Sequence, residues 1–400
     1  MALLLIAAMG PVRAESGFPP PGPDILHTSN LSLIDPEYNV DKRLVTWVDA
    51  VSGDIWVARF DYETGAFVPA DGKGVLIEAA VAKKGEYGGL GFTVNGPEWA
   101  LGTPSDYIVY TRTDARGEPK PGNAVVGVAY QNADGSWSRQ SLAAPQRYAP
   151  YGSLNRNAPA KVSYQGPKGT WYARDVADPS SENVLPDFAR TGAAPPTARF
   201  VDGANLVVYQ AIIDGLSQTV AYDLDTQTPS QLTFDAGAKV QSWMWSAPEL
   251  GGQLALMAVV DKRTVVMYRP VAGADGAFRY EPHAAVAAPQ RGRWFSVEPF
   301  VYRGRSYMVA QLTPKGSSYP TSIWLAGFDA ADPVLRQLTP DGDPTEARAD
   351  REMVPTAHGV LVVYSKFDTA KCAPESTSSW LCIRGLKGLF RADTGLPPPH

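Results

Sequence analysis

Short runs of apolar, β-branched and aromatic residues recur along the whole chain, separated by polar turns. "RLVTWVD" at 43–49 has this character, and "LVVY" occurs at 206–209 and again, unchanged, at 361–364. Runs of about four to eight such residues bounded by turns predict buried β-strands. A further strand follows each run at a short interval, and "IWVARFD" at 55–61 returns as "IWLAGFD" at 323–329. The chain is therefore predicted to repeat one unit of β-structure.

Glycine-containing turns and prolines divide the repeats. Turns such as "YETG" at 62–65 and "NADG" at 132–135 supply the positive φ that tight hairpins require. Proline lacks the donor of a ladder hydrogen bond and is tolerated at the end or edge of a strand. We interpret seven prolines, spaced 37 to 62 residues apart, as the starts of seven units: Pro36, Pro97, Pro159, Pro196, Pro248, Pro299 and Pro355.

Units of four short antiparallel strands at this spacing, with no helical stretch between them, are typical of a β-propeller. We predict an all-β protein, a seven-bladed β-propeller of four-stranded antiparallel blades, with six or eight blades as alternatives. A single propeller domain over 15–400 follows, with blades at approximately 30–85, 90–145, 150–192, 194–237, 239–289, 293–343 and 348–395.

The two ends of the chain are predicted to close the ring, because an open propeller would expose two sheet edges. The segment "DILHTSNLSL" at 24–33 is placed to pair with the last blade beside "GLFRAD" at 388–393. Cys372 and Cys382 flank a loop rich in Pro and Ser in the same blade. We expect a disulfide between them that reinforces the closing blade, with two unpaired thiols as the alternative.

The first residues have the pattern of a secretion signal. An apolar stretch runs from Ala2 to Met9, and Val12 and Ala14 stand at the small-residue positions that signal peptidase reads. We predict a signal peptide at 1–14 and a secreted or periplasmic protein. No other window reaches the roughly 18 apolar residues that a membrane-spanning helix needs, so we expect no membrane span.

Composition agrees with a strand-rich protein and argues against one class of partner. The 400 residues include 37 Gly, 35 Pro, 13 Phe, 10 Trp and 18 Tyr, a content suited to many short strands joined by tight turns. The net charge is −5 and no long basic run is present, so nucleic acid is not an expected partner. We expect a monomer.

Two phrases resemble the repeats of a known family. "SQLTFDAG" at 230–237 and "LRQLTPDGD" at 335–343 look like the outer strand and exit turn of TolB-like, WD40-like propeller repeats, and "VAYDLDTQTPSQLT" at 220–233 extends the first match. The resemblance covers the fourth and sixth units well and the others in outline. It implies the blade fold. Such repeats occur in periplasmic binding scaffolds, peptidase gating domains and carbohydrate-active enzymes, so the resemblance does not select a function.

Carboxylates stand beside the prolines that are predicted to face the central funnel, where propellers bind ligands. Paired carboxylates near a pocket serve as general acid and base. "IDPEY" and "VEPF" are similar to elements of five-bladed propeller glycosidases, which implies Asp35 as the general base and Glu298 as the general acid. The alternative is that both are strand-end residues paired with Arg43, Arg293 or Arg303. Further candidates for ligand binding are Glu37, Glu98, Asp350 and Glu352.

The tryptophans are divided between two predicted roles. Trp243 and Trp245 share one strand face by the period of two, close to the funnel, and Trp294 stands at the corresponding place in the next unit. These three are candidates for stacking on a sugar ring or gripping a peptide, with packing between blades as the alternative. Four others recur in one strand of their units and are predicted to pack between blades: Trp56, Trp171, Trp324 and Trp380.

Other catalytic signatures are missing from the sequence. The four histidines are too scattered for a metal centre, and neither a nucleophile elbow with a suitable histidine nor a Gly-rich phosphate loop is present. No metal and no cofactor are therefore expected. The sequence favours a binding or assembly scaffold that holds a protein or glycan ligand at the funnel. The alternative is a secreted carbohydrate-active enzyme, a glycoside hydrolase or polysaccharide lyase, that uses the channel carboxylates.

Overall fold

A computed structural model of the chain describes residues 21–79, 96–113, 124–142, 147–186, 197–272, 278–316, 320–329, 334–371 and 383–399. The regular structure in these ranges consists of 29 β-strands and a few single 3₁₀ turns. The 3₁₀ turns are Pro167–Gly169, Pro179–Ser181, Pro248–Leu250, Pro289–Arg291, Thr369–Lys371 and Ile383–Gly385. In this described part of the chain, no helix has the length and apolar character needed to cross a membrane.

The strands form seven antiparallel sheets, numbered here as blades in chain order. Blades 1 and 2 contain β2 (Leu33–Asn39), β3 (Leu44–Asp49), β4 (Ile55–Phe60), β5 (Phe67–Val68) and β6 (Val75–Glu78), then β7 (Glu98–Ala100), β8 (Tyr107–Thr113), β9 (Ala124–Gln131) and β10 (Trp137–Ser141). Blades 3 and 4 contain β11 (Tyr148–Gly152), β12 (Lys161–Gln165), β13 (Trp171–Asp175) and β14 (Asn183–Leu185), then β15 (Arg199–Phe200), β16 (Leu206–Ile213), β17 (Leu216–Asp223) and β18 (Thr228–Gln231).

The remaining blades follow the same plan. Blades 5 and 6 contain β19 (Lys239–Ala247), β20 (Gln253–Val260), β21 (Thr264–Ala272) and β22 (Phe278–Ala287), then β23 (Arg293–Tyr302), β24 (Arg305–Thr313), β25 (Ser322–Gly327) and β26 (Leu335–Gln337). Blade 7 contains β27 (Glu346–Thr356), β28 (Gly359–Asp368), β29 (Leu386–Asp393) and, from the other end of the chain, β1 (Ile25–Leu26).

This arrangement is a seven-bladed β-propeller, which confirms the predicted fold and blade number. The first strand of each blade is innermost; the innermost strands of successive blades touch from blade 1 to blade 6, and β27 touches β2 across the closure. Blade 1 departs slightly from four strands, because β5 and β6 both pair with β4. The innermost strands therefore surround a central channel.

Burial explains why the middle strands appear as continuous apolar runs. Seven of the nine residues of β24 and five of the eight of β20 are buried, whereas none of the outer strand β18 is. A middle strand is covered on both faces by the adjacent blades, so both sets of alternating side chains are apolar. Large aromatic residues fill these spaces: Trp171 packs in a cluster with residues of blade 4, and Trp324 in a cluster with residues of blade 5.

The ring closes as predicted from the sequence. β1 pairs antiparallel with β29, with Ile25 opposite Arg391 and Leu26 opposite Phe390. Asp24 then anchors the closure by binding three side chains of blade 7. Its carboxylate lies 2.8 Å from Nη2 of Arg348 and 2.5 Å from Nζ of Lys366, and it accepts a 2.5 Å hydrogen bond from the hydroxyl of Tyr364.

The seven prolines do not mark one structural position, so the proline interpretation is wrong. Pro36 and Pro299 lie inside innermost strands, whereas Pro159 precedes β12, a second strand, and Pro248 begins a 3₁₀ turn after β19. Proline is compatible with any position where the hydrogen-bond ladder of a sheet is interrupted, so its presence does not identify the start of a blade. Pro196, Trp380, both cysteines and the segment 1–14 lie outside the described residues.

Candidate functional site

The innermost strand of every blade contributes side chains to the central cavity, and one residue from each strand is singled out below. We call these seven residues the channel ring. They line a single cavity of about 330 Å³. In blade order the channel ring consists of Glu37, Glu98, Tyr151, Arg199, Trp243, Glu298 and Glu352.

A repeated β-bulge places five members of the ring. Each bulge has a residue in the left-handed region, with φ between 48° and 58°, at a register shift against the second strand. Residues other than glycine rarely adopt this conformation, and a bulge redirects the side chains that follow it. The ring residue is always the second one after the left-handed residue. The five left-handed residues are Asp35, Ala149, Gln241, Ser296 and Asp350.

The cavity has an acidic side. Six carboxyl side chains from four consecutive blades line it, beginning in blade 6 and ending in blade 2. We call them the acid side: Glu298, Asp350, Glu352, Asp35, Glu37 and Glu98. These six candidates are brought together here, whereas Glu249, which also stands beside a predicted funnel proline, does not line the cavity and accepts a hydrogen bond from Ser306.

Crowding perturbs the ionisation of the acid side. Burial, followed by repulsion from neighbouring carboxylates, raises the pKa of Glu37 and of Glu352 well above the ordinary value. Burial and the charge of Asp35 do the same to the pKa of Asp350. The charged forms are disfavoured because they lose hydration and repel one another. The acid side therefore retains protons to a higher pH than isolated carboxyls would.

Asp35 and Asp350 form a hydrogen-bonded pair of carboxyls. Burial raises the pKa of Asp35 to about 6, although hydrogen bonds from Asp350 and the backbone of Gly96 act in the opposite direction. Burial, the charge of Asp35 and the same bond raise the pKa of Asp350, so the two carboxyls titrate as a coupled pair. A Cβ at Gly96 would lie 1.8 Å from Oδ2 of Asp35, so this close approach requires glycine. Among the described residues, Oδ2 of Asp350 has no hydrogen-bond partner.

Glu298 is paired with a buried arginine. Nη2 of Arg351 lies 3.1 Å from Oε1 of Glu298, and Nε of Arg351 donates a 3.2 Å hydrogen bond to the carbonyl of Val309. Arg351 is fully buried. Sequence reasoning proposed Arg43, Arg293 or Arg303 as the partner, and the structure replaces them with Arg351. The sequence offered little indication that Arg351 is the partner of Glu298. Arg351 stands between Asp350 and Glu352, which line the cavity, and does not itself line it.

The opposite side of the cavity is aromatic and cationic. The guanidinium of Arg199 lies 3.6 Å from the ring centroid of Trp243 and 4.9 Å from that of Tyr151. Cations over aromatic faces are attracted by the ring quadrupole. We call these three residues the aromatic side. Sequence reasoning found only Trp243, because nothing in the local pattern set Tyr151 or Arg199 apart from other strand residues.

Gln311 adds an unused acceptor to the cavity wall. It lies on β24, is 4% exposed and lines the cavity. Its Oε1 accepts no hydrogen bond from any residue in the described ranges. Buried amide oxygens are nearly always hydrogen-bonded, so this atom is available to a ligand that donates. Sequence reasoning missed Gln311 because it belongs to a second strand.

Two of the tryptophans predicted to bind ligand lie elsewhere. Nε1 of Trp245 donates a 2.9 Å hydrogen bond to Oγ of Ser306, and the indole packs against Phe328. Trp294 is 2% exposed and donates to the carbonyl of Val286 at 3.2 Å. Both belong to the core between blades 5 and 6. The period-of-two argument failed for Trp245 because only the part of β19 near Trp243 borders the cavity.

The described residues include no group of three or more His, Cys, Asp or Glu side chains arranged to hold a metal ion.

The chain matches no protein-family model and no curated protein. It is similar in structure to TolB from Acinetobacter baumannii, with a TM-score of 0.40 and 16% identity over 73% of this chain and 64% of TolB, less than two thirds of that protein. It is also similar to the complex of KlAtg21 with the coiled coil of AgAtg16 (TM-score 0.48, 10% identity, 84% of this chain and 94% of the other). For the acylaminoacyl peptidase of Pyrococcus horikoshii the TM-score is 0.44 with 12% identity, over 84% of this chain and 50% of the peptidase. The fold assignment rests on the seven sheets themselves.

Proposed function

We propose that this protein is an exported binding scaffold that holds its ligand at the central channel through a positively charged group on that ligand. One observation carries the proposal. Six carboxyl side chains line one side of a single cavity, and among the described residues the buried Arg351 is paired with only one of them, Glu298.

A bound cation would relieve the repulsion within the acid side. The pKa values of Asp35, Glu37, Asp350 and Glu352 are raised because burial and like charges oppose ionisation. A positive group among them favours the ionised forms and is attracted strongly in a cavity shielded from water. Binding is therefore coupled to the release of protons from the acid side.

Gln311 supports an ammonium group as that cation. Its Oε1 is buried, lines the same cavity and has no hydrogen-bond partner in the described part of the chain. An ammonium group has three donors and no acceptor, so it bonds to carboxylates and to an amide oxygen together. A lysine side chain, a peptide N-terminus or an amino sugar provides such a group, which covers both protein and glycan ligands.

Export rests on the N-terminal pattern and the cysteine pair, both outside the described residues. We propose cleavage after Ala14, a disulfide between Cys372 and Cys382, and a monomeric mature protein. The test is the N-terminal sequence and reduced-versus-oxidised mass of protein recovered from the periplasm or medium. A mature chain that begins at Glu15 is expected, and retention of intact protein in the cytoplasm would contradict export.

Calorimetric titration tests cation binding. The probes are peptides of two to four alanines with an amidated C-terminus, which carry one ammonium group, and their N-acetylated counterparts, which carry no charge. The wild type is expected to bind the amides and not the acetylated forms. Combined Glu37→Gln and Glu352→Gln should weaken binding by at least about tenfold, which is about 1.4 kcal/mol.

The matched control is Glu281→Gln, which removes an exposed carboxylate on β22 of blade 5. It should bind like the wild type. Equal binding of the charged and acetylated peptides, or an unchanged affinity in the double variant, would refute the proposed function.

A second candidate function is favoured by the Asp35–Asp350 pair. One shared proton on two carboxyls places an acid and a base side by side, an arrangement that can transfer a proton to or from a sugar polymer at the channel wall. Glu298 is less suited to the acid role that its sequence implied, because Arg351 holds it as an ion pair. Release of reducing or unsaturated ends from a polysaccharide panel, lost in Asp35→Asn, would favour this carbohydrate-active enzyme over the scaffold.

A further inference from the structure

Arg199 is held as an isolated cation on the far wall of the acidic cavity. Its guanidinium lies against Trp243 and Tyr151, and it makes no ion pair with any residue that the structure describes. Its Nε is buried and has no acceptor within the same described ranges. The cavity thus contains an arginine whose faces are covered by aromatic rings and whose donors make no hydrogen bond to the part of the chain that the structure describes.

Because aromatic rings lie against the face of the Arg199 guanidinium, its N–H groups at the edge are left to bind an acceptor in the same plane. The N–H groups lie in the guanidinium plane and match a planar carboxylate through two parallel charge-assisted hydrogen bonds. Aromatic rings fix the orientation of that plane, so little side-chain freedom is lost when an anion binds. The aromatic side therefore has the properties of a carboxylate-binding site.

The two sides of the cavity are close enough to act on one residue. Burial raises the pKa of Tyr151, the charge of Arg199 lowers it, and the charges of three acid-side residues raise it further: Glu98, Asp35 and Glu298. The cavity volume of about 330 Å³ is near the lower end of small-molecule sites, which span about 300–1,000 Å³. A single small ligand therefore reaches both sides.

We propose that the ligand is a small zwitterion, such as a short peptide, whose ammonium group binds the acid side and Gln311 while its carboxylate binds Arg199. This inference rests on the proposed function for the ammonium half and adds the carboxylate half.

The test compares four forms of the same alanine peptides by calorimetry: the free peptide, the C-terminal amide, the N-acetyl acid and the N-acetyl amide. The free peptide should bind the wild type at least about tenfold more tightly than the C-terminal amide, since only the free carboxylate forms charge-assisted hydrogen bonds with Arg199. In Arg199→Met this difference should fall to within about twofold, while the affinity for the amide stays within about threefold of wild type.

Two further variants guard against a general loss of structure. Arg199→Lys keeps the charge but not the planar fork, so an intermediate preference for the free peptide is expected. Arg279→Met is the matched control, because Arg279 is exposed, lies over Phe234 at 5.2 Å and does not line the cavity. Arg279→Met should prefer the free peptide over its C-terminal amide by the same factor as the wild type.

The outcomes separate the two proposals. Equal affinity of the wild type for the free peptide and its amide overturns the zwitterion inference and leaves cation binding standing. Failure of both to bind overturns the proposed function and the inference together. A preference for the free peptide that survives in both Arg199→Met and Arg199→Lys also overturns the inference, because another group must then bind the carboxylate.

Discussion

Asp35 and Asp350 occupy the same bulge position in adjacent blades, and the two side chains share a hydrogen bond at the wall of the channel. Each is in the left-handed backbone conformation, and each is followed two residues later by a glutamate of the channel ring. The closing blade and the first blade therefore together present four carboxyl groups to the same small space.

Removing one member of this pair should change the pH dependence of stability. Below its ordinary pKa of about 3.8, Asp35 is protonated in both folded and unfolded protein. Between that value and about 6 the unfolded chain loses this proton and the folded chain keeps it, so stability falls as pH rises. In Asp35→Asn this carboxyl no longer titrates, so this fall should shrink by at most about 3 kcal/mol.

Urea unfolding at several pH values from 4 to 7 measures the effect on Asp35. Asp214→Asn is the control, because Asp214 is exposed, lies in the turn between β16 and β17 and shares the left-handed backbone conformation. It should leave the pH profile unchanged. Identical profiles for the wild type and Asp35→Asn would contradict the raised pKa of Asp35.

The Glu298–Arg351 pair should behave as a buried ion pair. Arg351→Met leaves Glu298 without its partner and should cost about 3–5 kcal/mol of unfolding free energy. Glu298→Gln leaves the charge of fully buried Arg351 unpaired and should also destabilise. The double variant removes both charges, so its cost should be smaller than the sum by at least about 1 kcal/mol. Additive costs in a double-mutant cycle would show that the two groups do not interact.

Asp24 should contribute to closure of the ring in a pH-dependent way. Burial alone would raise its pKa, but hydrogen bonds from Arg348, Lys366 and Tyr364 outweigh burial and lower the pKa to about 2. The stabilisation that Asp24 provides is therefore fully present above about pH 3.8, the ordinary pKa of the group, and is lost as the pH falls towards 2. Asp24→Asn should cost about 2 kcal/mol at neutral pH. Thermal unfolding at neutral pH and near pH 2 checks this, and an equal cost at both pH values would contradict it.

Trp243 and Trp245 should separate binding from stability. Trp245→Leu removes a buried indole and its hydrogen bond to Ser306, and should cost about 2–4 kcal/mol of stability with little effect on peptide affinity. Trp243→Leu removes the ring that orients Arg199, and should weaken binding of the free peptide by about tenfold. Calorimetry and urea unfolding of both variants measure the contrast. Equal losses of affinity and of unfolding free energy in the two variants would contradict the placement of Trp243 at the cavity and of Trp245 in the core.

The repeat was predictable from the sequence because strands buried on both faces appear as continuous runs of apolar residues. The third strands β4 and β25 repeat almost the same residues, since each is covered by a neighbouring blade in the same way. The pairing of β1 with β29 followed from the need to cover an edge.

The channel ring was only partly predictable. Five residues of four types, including Ala149 and Gln241, adopt the left-handed conformation that forms the bulge, so no single residue type identifies it. Asp35 and Glu298 were found because prolines stand beside them, although proline is not the cause. Arg199 and Tyr151 become a site only when strands from separate blades converge.

Proton release on binding tests the central claim most directly. The alanine peptide amide is titrated into the wild type at pH 5, 6 and 7 in two buffers of different ionisation enthalpy, which counts the protons exchanged. The peptide amine stays protonated in this range because its pKa is about 8. Binding should release protons near pH 6, the pKa of Asp35, and affinity should rise by about tenfold from pH 5 to 7. Affinity that does not change with pH, with no proton released, would contradict a cation site formed by the acid side.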